Sequence, residues 1–194
     1  MLANHWPEVP CYEDVRDLTA ARLAADGIAV DVITGGFPCQ AFSTAARGRN
    51  NAPDLWPEMA RVVNDLKPPF IIAENVQRRP VERAAEFCAA MGMSCDVVRI
   101  LAADVGADHK RSRWWLIAHT YENSEFSRSL NAEMAKLSEI QGHIWGASAF
   151  RSAVALSNGF SGGLDETGTA GNAVVPQIPE LIGRAILSAI GEEE

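Results

Sequence analysis

The sequence predicts an α/β fold, a doubly wound sheet with helices laid against its faces. Three observations predict it. Short apolar or β-branched runs of strand length recur through residues 1–119. Amphipathic stretches of helical period alternate with them. Polar residues also cluster where the apolar runs end, which is where such sheets hold their ligands.

The first run, Val30-Asp31-Val32-Ile33-Thr34, reads as a buried strand and the following Gly35-Gly36 as the start of a loop. Residues 54–66 carry Leu55, Met59, Val62, Val63 and Leu66 at helical spacing. Phe70-Ile71-Ile72-Ala73 is a second buried strand, closed by Glu74-Asn75. Residues 80–91 form a helix with Pro80 in its first turn and Gly92 just past its end. Residues 95–101 and 114–119 supply a third and a fourth strand. Residues 120–160 break the rhythm: they are polar, with one helical stretch at about 130–140, and read as an insertion. The last helix runs from about Pro176 to Gly191, with Ile178, Leu181, Ile182, Ala185, Ile186 and Ile190 on one face.

A chain of 194 residues is long enough to bury a core without disulfides or metal. No apolar run reaches the roughly 20 residues of a membrane span. The first seventeen residues have neither a basic nor an apolar region of a secretory leader, so a cytoplasmic location is expected. Net charge is −8, and residues 120–194 hold 10 acidic residues against 4 basic ones. That balance argues against a strongly basic nucleic-acid surface but leaves room for a local one. The four cysteines, Cys11, Cys39, Cys88 and Cys95, include no CxxC pair and no histidine at finger spacing, so no metal is expected. Cys11, Cys88 and Cys95 read as small buried hydrophobes.

Cys39 is different. It stands in Gly35-Gly36-Phe37-Pro38-Cys39-Gln40-Ala41-Phe42-Ser43, directly after a buried strand. Glycines free the backbone, Pro38 fixes the turn, and a thiol presented at the mouth of a sheet is a candidate nucleophile. Glu74 at the end of the next strand is a candidate acid–base group. Lys110-Arg111-Ser112-Arg113 at a strand start reads, alone, as a solvated basic edge. Asn172, alone, reads as a turn residue.

Together these stretches resemble the DNA cytosine-5 methyltransferases. Gly-Phe-Pro-Cys-Gln-x-Phe-Ser is matched without a change, and Glu74-Asn75-Val76, Arg111-x-Arg113 and Gly171-Asn172-Ala173-Val174-Val175-Pro176 follow in that family's order. The resemblance covers about Asn4 to Gly191, apart from 120–160. It implies a Rossmann-like class I methyltransferase sheet, N-terminally truncated, with a very small target-recognition insertion. Its segments are a catalytic core at 1–119, a reduced recognition segment at 120–160, and a returning motif and helix at 161–194.

The resemblance implies a mechanism. Cys39 adds to carbon 6 of a flipped cytosine, and carbon 5 then takes the methyl of S-adenosylmethionine. Glu74 holds N3 and the exocyclic amine, a role that wants a raised carboxyl pKa. Arg113 holds the base oxygen and orients Glu74, and Arg111 supports the loop or a phosphate. Asp14, Pro38, Leu55 and Asn172 match cofactor-contacting positions, Asp14 against the adenine amine. Gln40, Ser43, Asn75 and Val76 fall on the substrate side. Arg47, Arg49, Arg78, Arg79 and Arg83 are phosphate contacts or ordinary surface. The expected partners are double-stranded DNA, in the setting of restriction–modification, and a complementing N-terminal fragment.

Two departures matter. Asp108 and His109 stand where the family carries Pro and Gln before the paired arginines. The family's opening strand and Phe-x-Gly-x-Gly loop are not found, which leaves the Val30 strand short of a neighbour. Tyr12-Glu13-Asp14-Val15 is then expected to move in beside it, or another chain to supply the strand, or the sequence to be a truncated form. The alternative function is accordingly a non-catalytic remnant, or one half of a split methyltransferase.

Overall fold

The computed structural model describes residues 6–37, 54–105, 111–121, 126, 128–133, 135 and 174–191. The described residues fall into two compact units. Those of 12–100 and 112–123 form one, and those of 1–11, 101–111 and 124–194 the other.

The first unit is built on a four-stranded sheet of β1 (Val32–Gly36), β2 (Phe70–Asn75), β3 (Ser94–Leu101) and β4 (Ser112–His119), in the order β1-β2-β4-β3. Around it stand α1 (Ala20–Ala25), α2 (Trp56–Leu66) and α3 (Arg78–Ala90). β1 and β2 are parallel, and α2 lies between them in sequence, as a parallel pair requires. β4 runs antiparallel to β2. The link from β3 to β4, residues 102–111, is too short for the crossover that parallel neighbours need. The α/β class expected from sequence is observed, and the reversed strand makes the sheet mixed.

Local chemistry explains the element ends. Asp54 Oδ1 accepts from the Trp56 N–H at 3.0 Å and opens α2, and Pro57 sits in its first turn. Lys67, at φ 47°, closes it, with Pro68 and Pro69 beyond. Gly92, at φ 85°, follows α3 as foreseen. One face of the sheet is covered by Trp56, Met59 and Val63 of α2 and by Val81, Ala84 and Cys88 of α3. They close on Ile71, Ala73, Leu116 and Ala118. Burying an aliphatic side chain of this size contributes roughly 1.5–3 kcal/mol.

Three expectations are corrected. β1 starts two residues later than the sequence pattern implied, and Gly35 and Gly36 belong to it, paired with Ala73 and Glu74. The reason is close packing, since a Cβ on Gly35 would lie 2.7 Å from Met59 Sδ. Residues 12–15 do not join the sheet: Asp14 caps a short 3-10 turn, Val15–Asp17, and β1 is an edge strand among the described residues. Cys11 is exposed, whereas Cys88 is buried and Cys95 half-buried. The Cys88 thiol is pushed up by its hydrogen bond with Cys95 and by burial.

In the second unit, α4 (Gln177–Ile190) packs against a 3-10 turn at Ala102–Val105. It buries Ile178, Leu181, Ile182, Ala185 and Ile186, as the spacing predicts. Residues 128–133 are helical, a little ahead of the expected start, and 136–160 lie outside the described residues.

Candidate active site

β2 ends in Glu74-Asn75, and the directions of its two neighbours decide what stands there. Parallel β1 brings Gly36 opposite Glu74. Antiparallel β4 brings Trp115 opposite Glu74 and Trp114 opposite Asn75. Arg113, two residues before Trp115, therefore shares its face and stands diagonal to Glu74. Its Nε lies 2.9 Å from Glu74 Oε1, with both side chains about 85% withdrawn from solvent (15% and 16% exposed). Arg113 Nη1 donates to the Ser112 carbonyl at 3.0 Å, which fixes the guanidinium from behind. On the other side, a Cβ on Gly36 would sit 3.4 Å from Glu74 Oε2, so the glycine leaves the carboxylate room on its β1 side.

Asn75 is 2% exposed and both ends of its amide are engaged. Nδ2 donates to the Phe37 carbonyl at 3.0 Å, and Oδ1 accepts from the Gln77 N–H at 3.0 Å. The side chain ties the residue just before Pro38 to the end of β2. Phe37 itself is buried against Trp56, ring centroids 5.3 Å apart. Val76, by contrast, is exposed.

Pro38, Cys39, Gln40, Ser43, Arg47, Arg49 and Asn172 lie outside the described residues. Arg111 belongs to the other unit, where its carbonyl accepts from the Ala102 N–H at 3.0 Å. Arg78 pairs with Glu82 and lies 5.0 Å over the Trp114 ring, and Arg83 pairs with Asp54. Arg79 is exposed on the same helix.

Asp14 and Leu55 fall on neighbouring elements, for the turn that follows Asp14 packs against α2 and Leu55 precedes α2. Asp14 accepts from the Arg16 backbone N–H at 2.8 Å and from its guanidinium, contacts that hold its carboxyl down at about 2. It is therefore an anionic acceptor, with about a third of its side chain exposed, and suits an exocyclic amine. An incoming amine would share the carboxylate with the exposed Arg16 side chain. Sequence reading missed the residue that holds this turn. Arg61 of α2 donates to the carbonyls of Leu18 and Val15, each at 2.8 Å. No local spacing foretells a contact across 43 to 46 residues. Among the described residues, no group of three His, Cys, Asp or Glu is placed to hold a metal ion, and no helix is long and apolar enough to cross a membrane.

The model of the C-5 cytosine-specific DNA methylase family matches residues 1–154. The chain belongs to that family. Among relatives of this chain, the Type II methyltransferase M.CviJI of Paramecium bursaria Chlorella virus IL3A is 27% identical over 140 residues, covering 68% of this chain and 37% of the relative. M.HgiDI of Herpetosiphon aurantiacus is 29% identical over 140 residues, covering 66% and 44%. The chain thus spans less than half the length of these curated relatives. Among solved structures, the Entamoeba histolytica methyltransferase EhMeth overlaps at a TM-score of 0.49 and 12% identity, covering 62% of this chain and 41% of that one.

Proposed function

We propose that the protein acts in methyl transfer from S-adenosylmethionine to carbon 5 of cytosine in double-stranded DNA. The single observation that carries this reading is the Glu74–Arg113 pair, 2.9 Å apart and mostly withdrawn from water at the end of β2. A fixed carboxyl and guanidinium side by side suit a cytosine edge, which offers a ring nitrogen, an amine and a carbonyl oxygen. Cys39, three residues beyond Gly36, supplies the nucleophile: its thiolate bonds to carbon 6, while Glu74 holds the proton at N3 and Arg113 the base oxygen. S-adenosylmethionine supplies an electrophilic methyl group when bound. Loss of the carbon-5 proton then expels Cys39 as the thiolate. Asp14 and Leu55, with Pro38 and Asn172, are the residues that would hold the cofactor, and the ionised Asp14 fits an adenine amine. Arg111 supports the loop or a phosphate, and Gln40, Ser43 and Val76 face the substrate. Segments 1–119, 120–160 and 161–194 serve as core, reduced recognition segment and returning motif, in a protein of the cytoplasm.

The test is transfer of labelled methyl to DNA. Product is expected from the native chain and none from Cys39→Ser. A native chain that binds S-adenosylmethionine more weakly than about millimolar would favour a non-catalytic remnant. A second reading rests on β1, an edge strand among the described residues, with Val32 39% exposed. In it, the chain is one half of a split enzyme, and a complementing fragment pairs with that edge.

A further inference from the structure

The turn at Val15–Asp17 buries none of its own residues and joins no strand. One side chain of α2 bonds its backbone carbonyls. Arg61 projects from α2 and donates through Nη1 to the Leu18 carbonyl at 2.8 Å. Through Nη2 it donates to the Val15 carbonyl at 2.8 Å and the Arg16 carbonyl at 3.4 Å. Its Nε is held by Glu58 at 3.0 Å, and Asp65 lies 3.6 Å from Nη1. The guanidinium is thereby aimed by its own helix, with two carboxylates fixing the fork and three carbonyls receiving it. Asp14 is the N-cap of that same turn, and its own carbonyl accepts from the Asp17 N–H at 3.1 Å. The backbone geometry at Asp14 is therefore tied, through one turn of chain, to the position of Arg61.

We propose that Arg61 is a positioning residue for Asp14, holding the 14–18 turn on α2 so that the Asp14 carboxylate is presented to the 6-amino group of an adenine-bearing cofactor. The inference rests on the cofactor reading above and adds a residue to it that has no place in any of the sequence motifs. It predicts coupling between a core-helix arginine and recognition of one functional group of the ligand. A generic loss of stability would not show that selectivity.

The experiment uses the full chain and Arg61→Met, which keeps the aliphatic stem and the helix propensity. Hydrogen exchange of the Asp17 and Leu18 amides is measured first, without ligand. The variant is expected to exchange them at least about tenfold faster, with α2 unchanged by circular dichroism. Calorimetry then compares S-adenosylmethionine with an analogue lacking the 6-amino group. The variant is expected to bind the natural ligand about tenfold more weakly and the analogue with unchanged affinity, with Arg61→Lys in between. Unchanged exchange in Arg61→Met overturns the anchor. Faster exchange with equal losses for both ligands, or with no loss, overturns the positioning of Asp14. A native chain that binds neither ligand, or does not distinguish them, overturns the cofactor reading of Asp14, and the exchange measurement still decides the anchor.

Discussion

At the residue scale, the strongest constraints gather where β2 ends. Glu74 and Arg113 are each withdrawn from water to about 85%, so removing either one takes from the other the opposite charge that offsets its lost solvation. Arg113→Met is therefore expected to destabilise the fold by about 2 kcal/mol, measured by urea denaturation, and to abolish methyl transfer. A variant as stable as the native chain would sink this account of the pair. Asn75 is buried with two backbone partners, so Asn75→Ala leaves the Phe37 carbonyl and the Gln77 N–H unsatisfied. About 1–3 kcal/mol of stability should be lost. Asn75→Asp keeps the acceptor for Gln77 and sets a charge against the Phe37 carbonyl, so it should do no better than alanine. Asp14 gives a pH prediction with a definite sign. Its folded pKa is depressed to about 2, chiefly by the Arg16 side chain and then by the Arg16 backbone N–H. The stabilisation of the turn is thus present above the ordinary carboxylate range and is lost as pH falls through about 2. Carboxyl-carbon NMR should show that midpoint, and Arg16→Ala should move it upward.

At the element scale, the direction of β4 decides what the site contains. The motifs were legible in the sequence because each sits at a strand end or helix start, and the apolar runs marked those ends to within two residues. That Arg113 meets Glu74 was not legible from periodicity. Residues 112–119 show the same apolar pattern whichever way the strand runs, and the pairing Glu74↔Trp115 exists only because it is reversed. From sequence alone the glycines of β1 read as loop for a similar reason. Glycine marks close approach as readily as a turn, and only the packed position of Met59 separates the two. The consequence is testable. Gly35→Ala should cost about 1 kcal/mol or less, because the atoms it meets, Met59 Sδ and Cε, end a flexible side chain that can shift, and combining it with Met59→Ala should recover part of that loss relative to the sum of the single changes. Strict additivity of the two in chemical denaturation would show that the contact does not limit β1.

At the scale of the whole molecule, the open side of β1 is the least settled feature energetically. Parallel sheets are normally covered on both faces, and an uncovered edge strand offers free backbone groups to any partner strand. Here β1 has β2 on one side and, among the described residues, no neighbour on the other. Val32 is 39% exposed on it. The split-enzyme reading predicts what fills that edge, a strand donated in parallel by a complementing polypeptide. In the chain alone, the outward-facing amides of Val32–Gly36 should exchange rapidly, and they should gain protection when the complementing fragment is added. Val32→Lys leaves the β2 side untouched and places a charge in the path of the incoming strand, as natural edge strands do to discourage pairing. It should therefore weaken complementation by about tenfold while thermal stability of the chain alone stays within about 0.5 kcal/mol of native. If Val32→Lys complements as well as the native chain, or if the β1 amides stay unprotected when activity is restored, the fragment acts elsewhere and the edge of β1 is not its docking strand.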